Sequence, residues 1–268
     1  MRLQGYSENV PKPLVKIGYR PILWHIMKYY AYYGHKDFIL CLGYKADVIK
    51  KYFLEYDEYI TNDFTIKNGN TIELFDSDIH DWQITFVDTG LHSCVGERLY
   101  AVRHLLKDEE MFLANYADGV TDLPLPDMVD FFRERDKTAS FVGVEPNSTF
   151  HTVSADEDGV VRDISVATQS GMRINGGFFV FTNEIFEHMK EGEELVEEPF
   201  TRLIEKEELI TYKYDGFWAC MDTFKEKQLL EDIHQKGNAP WEVWKGSTSK
   251  THQYEEEELR EVIDKVDL

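Results

Sequence analysis

The chain has 268 residues, enough for one large domain with a sizeable core, and at 43% hydrophobic and 14% aromatic residues it is globular rather than disordered. A net charge of −21 disfavours nucleic acid and anionic membranes as partners, and no apolar run approaches the ~20 residues that span a bilayer. A small anionic substrate would need local cations, and a divalent metal, to offset so acidic a field.

Near the start, Pro11-Lys12-Pro13 is a stiff extended segment. It costs Lys12 little backbone freedom when the ammonium meets a phosphate, although the same string occurs in ordinary loops. Pro21 suits the first turn of a helix. Ile22, Ile26, Tyr29, Tyr30 and Tyr33 then follow the i, i+4, i+7, i+8, i+11 spacing of one buried helical face, which Gly34 ends. Residues 38–42 form a continuous apolar run, as expected of a strand covered on both faces. Gly43 punctuates it, and Val48, Ile49, Tyr52 and Phe53 mark a short second helix. Residues 56–78 are polar, with Asn68-Gly69-Asn70 as a hairpin turn between short strands.

Strands are predicted at 82–87, 111–114, 139–144 and 178–181, and helices at 99–106 and 126–135. The βαβα order predicts an α/β fold with a mostly parallel central sheet flanked by helices, a small β extension and a C-terminal helix. That last helix comes from Glu255 to Glu258 followed by Leu259, Val262, Ile263 and Val266 at helical spacing. Residues 1–245 read as one domain and 246–268 as an acidic tail. Cys41, Cys94 and Cys220 lie far apart without a C-x-x-C pair, so buried, reduced thiols and a cytoplasmic setting are expected, with no signal peptide.

In an open α/β sheet, ligands bind beyond the carboxyl ends of the strands. The apolar strand at 111–114 delivers Asp118-Gly119 to such an end, where a carboxylate can hold Mg²⁺, a cation that prefers oxygen ligands. An ordinary Asp-Gly turn fits the same local pattern. Asp222, after the aromatic stretch Gly216-Phe217-Trp218, precedes a helix start that either Asp222 or Thr223 can cap. Asn175-Gly176-Gly177 opens a strand with backbone that a ligand can approach closely, or forms a bulge there. No H-E-x-x-H and no G-x-S-x-G occurs, so zinc-enzyme and hydrolase readings find no support.

A set of strings, in order along the chain, resembles the sugar-1-phosphate nucleotidyltransferases, and within them the glucose-1-phosphate cytidylyltransferases. They are Pro11-Lys12-Pro13-Leu14, Trp24-His25-Ile26-Met27-Lys28, Gly43-Tyr44-Lys45, Val87-Asp88-Thr89-Gly90, Tyr116-Ala117-Asp118-Gly119-Val120, Asn175-Gly176-Gly177-Phe178-Phe179, Glu198-Pro199, Met221-Asp222-Thr223 and Ala239-Pro240-Trp241. Met1-Arg2-Leu3 is similar to the back half of the family's phosphate loop, G-G-x-G-T-R-L, so a chain without the preceding strand and glycines is expected.

The resemblance implies a Rossmann-like fold that joins a nucleoside triphosphate, with CTP favoured, to a sugar 1-phosphate such as glucose 1-phosphate, and yields a nucleotide sugar for surface polysaccharide. It implies that Arg2 and Lys12 meet the triphosphate and that Asp118 and Asp222 hold Mg²⁺. Gly43, Tyr44, Thr89 and Gly90 would lie near the nucleotide. Asn175, Gly176 and Glu198 would bind the sugar, and the protein would form homo-oligomers. Two departures stand out. The family's E-K-P lysine has no counterpart, which leaves Arg173 as the nearest cation, and its R-F-G segment is replaced by Ser148-Thr149-Phe150-His151-Thr152. The missing loop and the missing lysine also fit a non-catalytic homologue that binds sugar nucleotides or serves as a structural or regulatory partner.

Overall fold

The computed structural model describes residues 10–146, 151–166 and 171–246. Arg2 and the expected helix of the acidic tail lie outside the described residues. The described chain enters through a 3₁₀ turn, Lys12–Leu14, and a short antiparallel ladder of β1 (Lys16–Ile17) with β2 (Arg20–Pro21). Pro21, extended at φ −69° and ψ 155°, then caps α1 (Ile22–Tyr32). The sequence pattern marks one buried face, yet α1 is buried nearly all round, from Ile22 to Met27 and again from Tyr29 to Ala31. The cause is that α1 separates two apolar clusters. Ile22, Ile26, Tyr29 and Tyr30 face one, while Leu23 and Met27 face the other.

The strand β3 (Asp37–Leu42) leads to α2 (Ala46–Leu54). A hairpin of β4 (Phe64–Lys67) and β5 (Thr71–Leu74) follows, and then β6 (Gln83–Asp88). Asn68 and Gly69 turn the hairpin at φ 52° and 85°, a conformation that Asn and Gly adopt at little steric cost. β6 pairs parallel with β3, from Asp37↔Gln83 to Leu42↔Asp88, so both strands deliver their C-terminal ends to one edge. α3 (Val95–Val102) starts ahead of the expected 99 because Cys94 and Glu97 close a capping box there. β7 (Met111–Ala114), β8 (Gly119–Thr121), α4 (Leu125–Arg133) and β9 (Ala139–Val144) follow.

β10 (His151–Ala155) and β11 (Val161–Val166) form a second hairpin. β12 (Ile174–Asn175), β13 (Phe179–Thr182), α5 (Glu198–Glu205), β14 (Leu209–Tyr214), β15 (Trp218–Cys220) and α6 (Phe224–Gln235) complete the described chain of regular elements. In the five-stranded sheet, β12 and β13 share one edge of β9 and β14 takes the other. The expected parallel pairing appears at β3·β6 and β9·β14, but β9 pairs antiparallel with β12 and β13, and β13 with β7, so the five-stranded sheet is mixed rather than mostly parallel. Such mixed pairing is common in large α/β sheets.

Residues around β13 show how the sheet is covered. Phe178 and Val180 enter the cluster built with α1 and α4, whereas Phe179 and Phe181 enter the one built with α3 and α5. The period of two therefore buries both faces. Among the described residues, no helix is long and apolar enough to cross a membrane. The three cysteines are free and partly buried, and burial pushes the Cys41 thiol up to about 11 and the Cys220 thiol up to about 12.

Candidate functional site

Lys12 stands on a fixed backbone. Pro11 is extended at φ −63° and ψ 145°, Leu14 N–H donates to the Pro11 carbonyl at 2.8 Å, and Val15 N–H donates to the Lys12 carbonyl at 3.0 Å. Leu14 and Val15 are buried, which pins the turn and leaves the lysine side chain to project from it. Asp118 lies between β7 and β8. The antiparallel pair β8·β15 sets Gly119 opposite Cys220, and Met221 N–H donates to the Asp118 carbonyl at 2.9 Å. The ladder thereby carries Asp222 to the same end of β15 at which Asp118 precedes β8.

The two acids meet on one cation. Lys12 Nζ donates to Asp118 Oδ2 at 2.5 Å and to Asp222 Oδ1. The surroundings of the two acids show which of them closes a cap. Thr223, not Asp222, caps α6: Thr223 Oγ1 accepts from Glu226 N–H at 3.2 Å, and Glu226 Oε2 accepts from Asp222 and Thr223 N–H at 2.8 Å each. Glu226 thus closes a capping box, and the Asp222 carboxylate, 61% exposed, is left for other partners. Asp118 is 27% exposed and also faces outward to the cation rather than closing its own turn.

Partial burial acts to lower the Lys12 pKa, but the Asp118 and Asp222 carboxylates outweigh it and hold the ammonium above its ordinary value. Two carboxylates share one ammonium, so the cluster retains a formal negative charge. Hard oxygen donors with uncompensated charge suit Mg²⁺, which keeps several waters and takes one or two carboxylates together with substrate phosphates. Among the described residues no group of three or more His, Cys, Asp or Glu gathers that could hold a metal ion.

Gly43 and Tyr44 follow β3, and Thr89 and Gly90 follow β6, so the parallel pairing puts both segments at one edge. Leu42, Leu14 and the Ala117 next to Asp118 belong to one apolar cluster, which brings that edge to the side of the Lys12 turn. Arg98 of α3 ties the two segments together. Its Nη1 donates to the Leu42 carbonyl at 3.1 Å and to Thr89 Oγ1 at 2.8 Å, while Thr89 N–H donates to the Leu42 carbonyl at 2.8 Å. A Cβ on Gly43 would stand 2.5 Å from the Arg98 guanidinium and 2.8 Å from the Gly90 carbonyl, so only glycine fits. The family resemblance names the four loop residues and not Arg98, whose signal is one arginine on a helix with no motif around it.

Asn175 ends β12. Its Oδ1 accepts from Gly177 N–H at 2.9 Å, and its Nδ2 reaches the Tyr116 hydroxyl at 3.4 Å. The Gly176 carbonyl accepts from Trp218 Nε1 at 2.8 Å, and Gly177 takes φ +73°. Tyr116 and Trp218, which occur within the sequence strings given above but have no role assigned there, therefore line the segment that joins Asp118 and β15 to Asn175 and Gly176. Glu198 opens α5 and is exposed, beside Glu197, Thr201 and Arg202 in an open depression.

The Arg173 guanidinium is engaged within the sheet. It donates to the Gly143 carbonyl at 2.9 Å, the Tyr214 carbonyl at 3.1 Å and Asp215 Oδ1 at 2.5 Å. Those partners tie it to the edges of β9 and β14.

No protein-family model matches the chain. The glucose-1-phosphate cytidylyltransferases of Salmonella typhi and Salmonella typhimurium are each 38% identical to it over 245 residues, which span 91% of this chain and 95% of each relative. A mannose-1-phosphate guanyltransferase of Gibberella zeae is 26% identical, over 85% of this chain and 59% of its own length. The crystal structure of apo UDP-glucose pyrophosphorylase overlays with a TM-score of 0.61 at 16% identity, covering 87% of this chain and 93% of that one. That structural likeness shows the Rossmann-like nucleotidyltransferase fold.

Proposed function

The chain belongs to the glucose-1-phosphate cytidylyltransferase family of nucleotidyltransferases, and we propose that it passes CMP from CTP to glucose 1-phosphate at a Mg²⁺-dependent site built on Lys12, Asp118 and Asp222. An oxygen of the sugar phosphate attacks the α-phosphorus in line. A new phosphorus–oxygen bond forms, the bond to the β-phosphate oxygen breaks, and pyrophosphate leaves with the electron pair. Catalysis of this kind depends on positioning and on neutralising charge.

Each residue has a part in that arrangement. Lys12 neutralises negative charge on the triphosphate from a backbone that the Pro11 turn keeps fixed. Asp118 and Asp222 would hold Mg²⁺, which supplies further charge neutralisation on the phosphates. The Gly43–Tyr44 and Thr89–Gly90 segments take the nucleotide, and Arg98 keeps them in mutual register. Asn175, Gly176 and Glu198 take the sugar. Arg2 is assigned to the triphosphate from the sequence alone.

The observation that carries the proposal is the meeting of Asp118 and Asp222, far apart in the chain, on one ammonium at the ends of paired strands. The preference for CTP over GTP follows the greater identity to cytidylyltransferases than to a guanyltransferase. The test is pyrophosphate release with each of the four nucleoside triphosphates and a panel of sugar 1-phosphates, with and without Mg²⁺. CTP with glucose 1-phosphate should give the highest rate and should need the metal. Protein with an intact thermal transition that releases pyrophosphate with no pair would end the proposal.

A further inference from the structure

Lys12 occupies the position between the two carboxylates, and this has a consequence for how the site loads. Its Nζ is within hydrogen-bond reach of both Asp118 Oδ2 and Asp222 Oδ1. Glu226 accepts from Asp222 N–H and fixes its backbone, and the Asp222 carboxylate meets Lys12. The lysine backbone is pinned by buried Leu14 and Val15, whereas its side chain is 32% exposed. A long flexible side chain on a fixed turn is the mobile member of such a trio. The two short carboxylates are the stationary members, one held by the β8·β15 ladder and the other by the start of α6.

With the metal role proposed for Asp118 and Asp222 as premise, we infer that Lys12 is the resident counter-ion of the carboxylate pair and exchanges with the divalent cation. The ammonium keeps two like charges together before substrate arrives. A cation of twice the charge takes the same oxygens, and the ammonium then leaves them to pair with the anionic substrate. Lys12 therefore opposes binding of the bare metal while it favours binding of the metal together with a triphosphate. Loading becomes ordered: nucleotide and metal enter as a pair, and the metal alone enters poorly. The like-charge repulsion between Asp118 and Asp222 that Lys12 offsets is also what draws the divalent cation in.

The test measures Mn²⁺ binding to the full chain without nucleotide, by the electron paramagnetic resonance signal of free Mn²⁺. Lys12→Met removes the ammonium and keeps the length of the side chain, and Lys12→Gln is a second form in case the first folds poorly. Both should bind Mn²⁺ about tenfold more tightly than the wild type, the order expected when an opposing unit charge a few ångströms away is removed. With CTP present the gain should shrink or reverse. Unchanged or weaker Mn²⁺ binding in folded Lys12→Met and Lys12→Gln would overturn the exchange. Asp118→Asn in the same titration separates the premise from the inference. If it binds Mn²⁺ as the wild type does, the metal role itself falls and the exchange falls with it. If it loses Mn²⁺ while the Lys12 variants gain nothing, only the exchange is lost.

Discussion

Two aspartates in this molecule gather cations in opposite settings, Asp78 behind α1 and Asp118 at the end of the β8·β15 ladder. Asp78 is 7% exposed, and its partner Arg20 is 2% exposed. Its Oδ2 accepts from Arg20 Nη2 at 3.2 Å, from the Tyr56 hydroxyl at 2.9 Å and from Thr61 Oγ1 at 2.6 Å, and its Oδ1 faces Lys28 Nζ at 3.3 Å. The Arg20 guanidinium also lies 4.1 Å from the centre of the Tyr56 ring. Here one carboxylate has two cations and two hydroxyls. At Asp118 and Asp222 the ratio is inverted, with two carboxylates on one ammonium, Asp222 exposed and Asp118 half-buried. A buried carboxylate with more donors than it needs acts as a fastener, in this case between the 56–80 segment and α1. A partly exposed pair that shares one ammonium keeps uncompensated negative charge that an incoming cation could neutralise.

The largest effect that can break this comparison is on activity. Asp118→Asn should lower turnover at least about a hundredfold, on the scale of losing a preorganised electrostatic group, and should leave the thermal transition within a few degrees of the wild type. Near-normal turnover would make Asp118 a second fastener. Asp78→Ala should do the reverse. It leaves Arg20 buried without its carboxylate, a change that costs about 3–5 kcal/mol. Measured Tm should drop by roughly 10 °C, while protein that remains folded keeps its turnover.

These two corners were unequally legible in the sequence. Asp118 and Asp222 each sit in a segment that local rules assign to a turn or a helix cap, and only the ordered strings of the family resemblance paired them. The Asp78 cluster left no local trace. Arg20 precedes a proline, Asp78 closes a polar stretch, and the pairing of remote side chains depends on tertiary packing that no spacing encodes. The expected elements fared better where apolar runs were continuous, as at β7 and β9, whose bounds match the prediction. They shifted where a cap decided the start. Cys94 stands in for the usual hydroxyl residue of a capping box, so α3 begins at Val95 and not at 99. Nor does periodicity reveal that α1 is covered on opposite faces, since an apolar stripe on one side is all that the spacing of Ile22, Ile26 and Tyr29 displays.

Acid sharpens the same contrast with smaller effects. Burial acts to raise the Asp78 pKa, but hydrogen bonds from Thr61 and Tyr56 and the charge of Lys28 hold it below the ordinary value. A depressed carboxyl contributes stability that is fully present above the unfolded pKa of about 3.9 and is lost as pH falls through the folded value. His25 adds an earlier loss. Its Nδ1 accepts from Trp241 Nε1 at 3.3 Å and its Nε2 faces the Ile17 carbonyl at 3.1 Å, and burial lowers its pKa to about 3. The unfolded chain takes up that proton from about pH 6.5, so stability declines between there and about 3. The urea midpoint should fall in two stages on acidification. Asp78→Asn should weaken only the stage below pH 4 or so, and an unchanged lower stage would remove Asp78 from the acid response.

The central claim is that Asp118 and Asp222 act as one unit, and a double-mutant cycle on turnover tests it most directly. Pyrophosphate release from CTP and glucose 1-phosphate would be followed for the wild type, Asp118→Asn, Asp222→Asn and the double variant at saturating Mg²⁺. If the two carboxylates serve one site, the double variant should be scarcely slower than the more damaged single variant. Losses that multiply, so that the double variant carries the full product of both, would place the two aspartates in independent roles and contradict the claim.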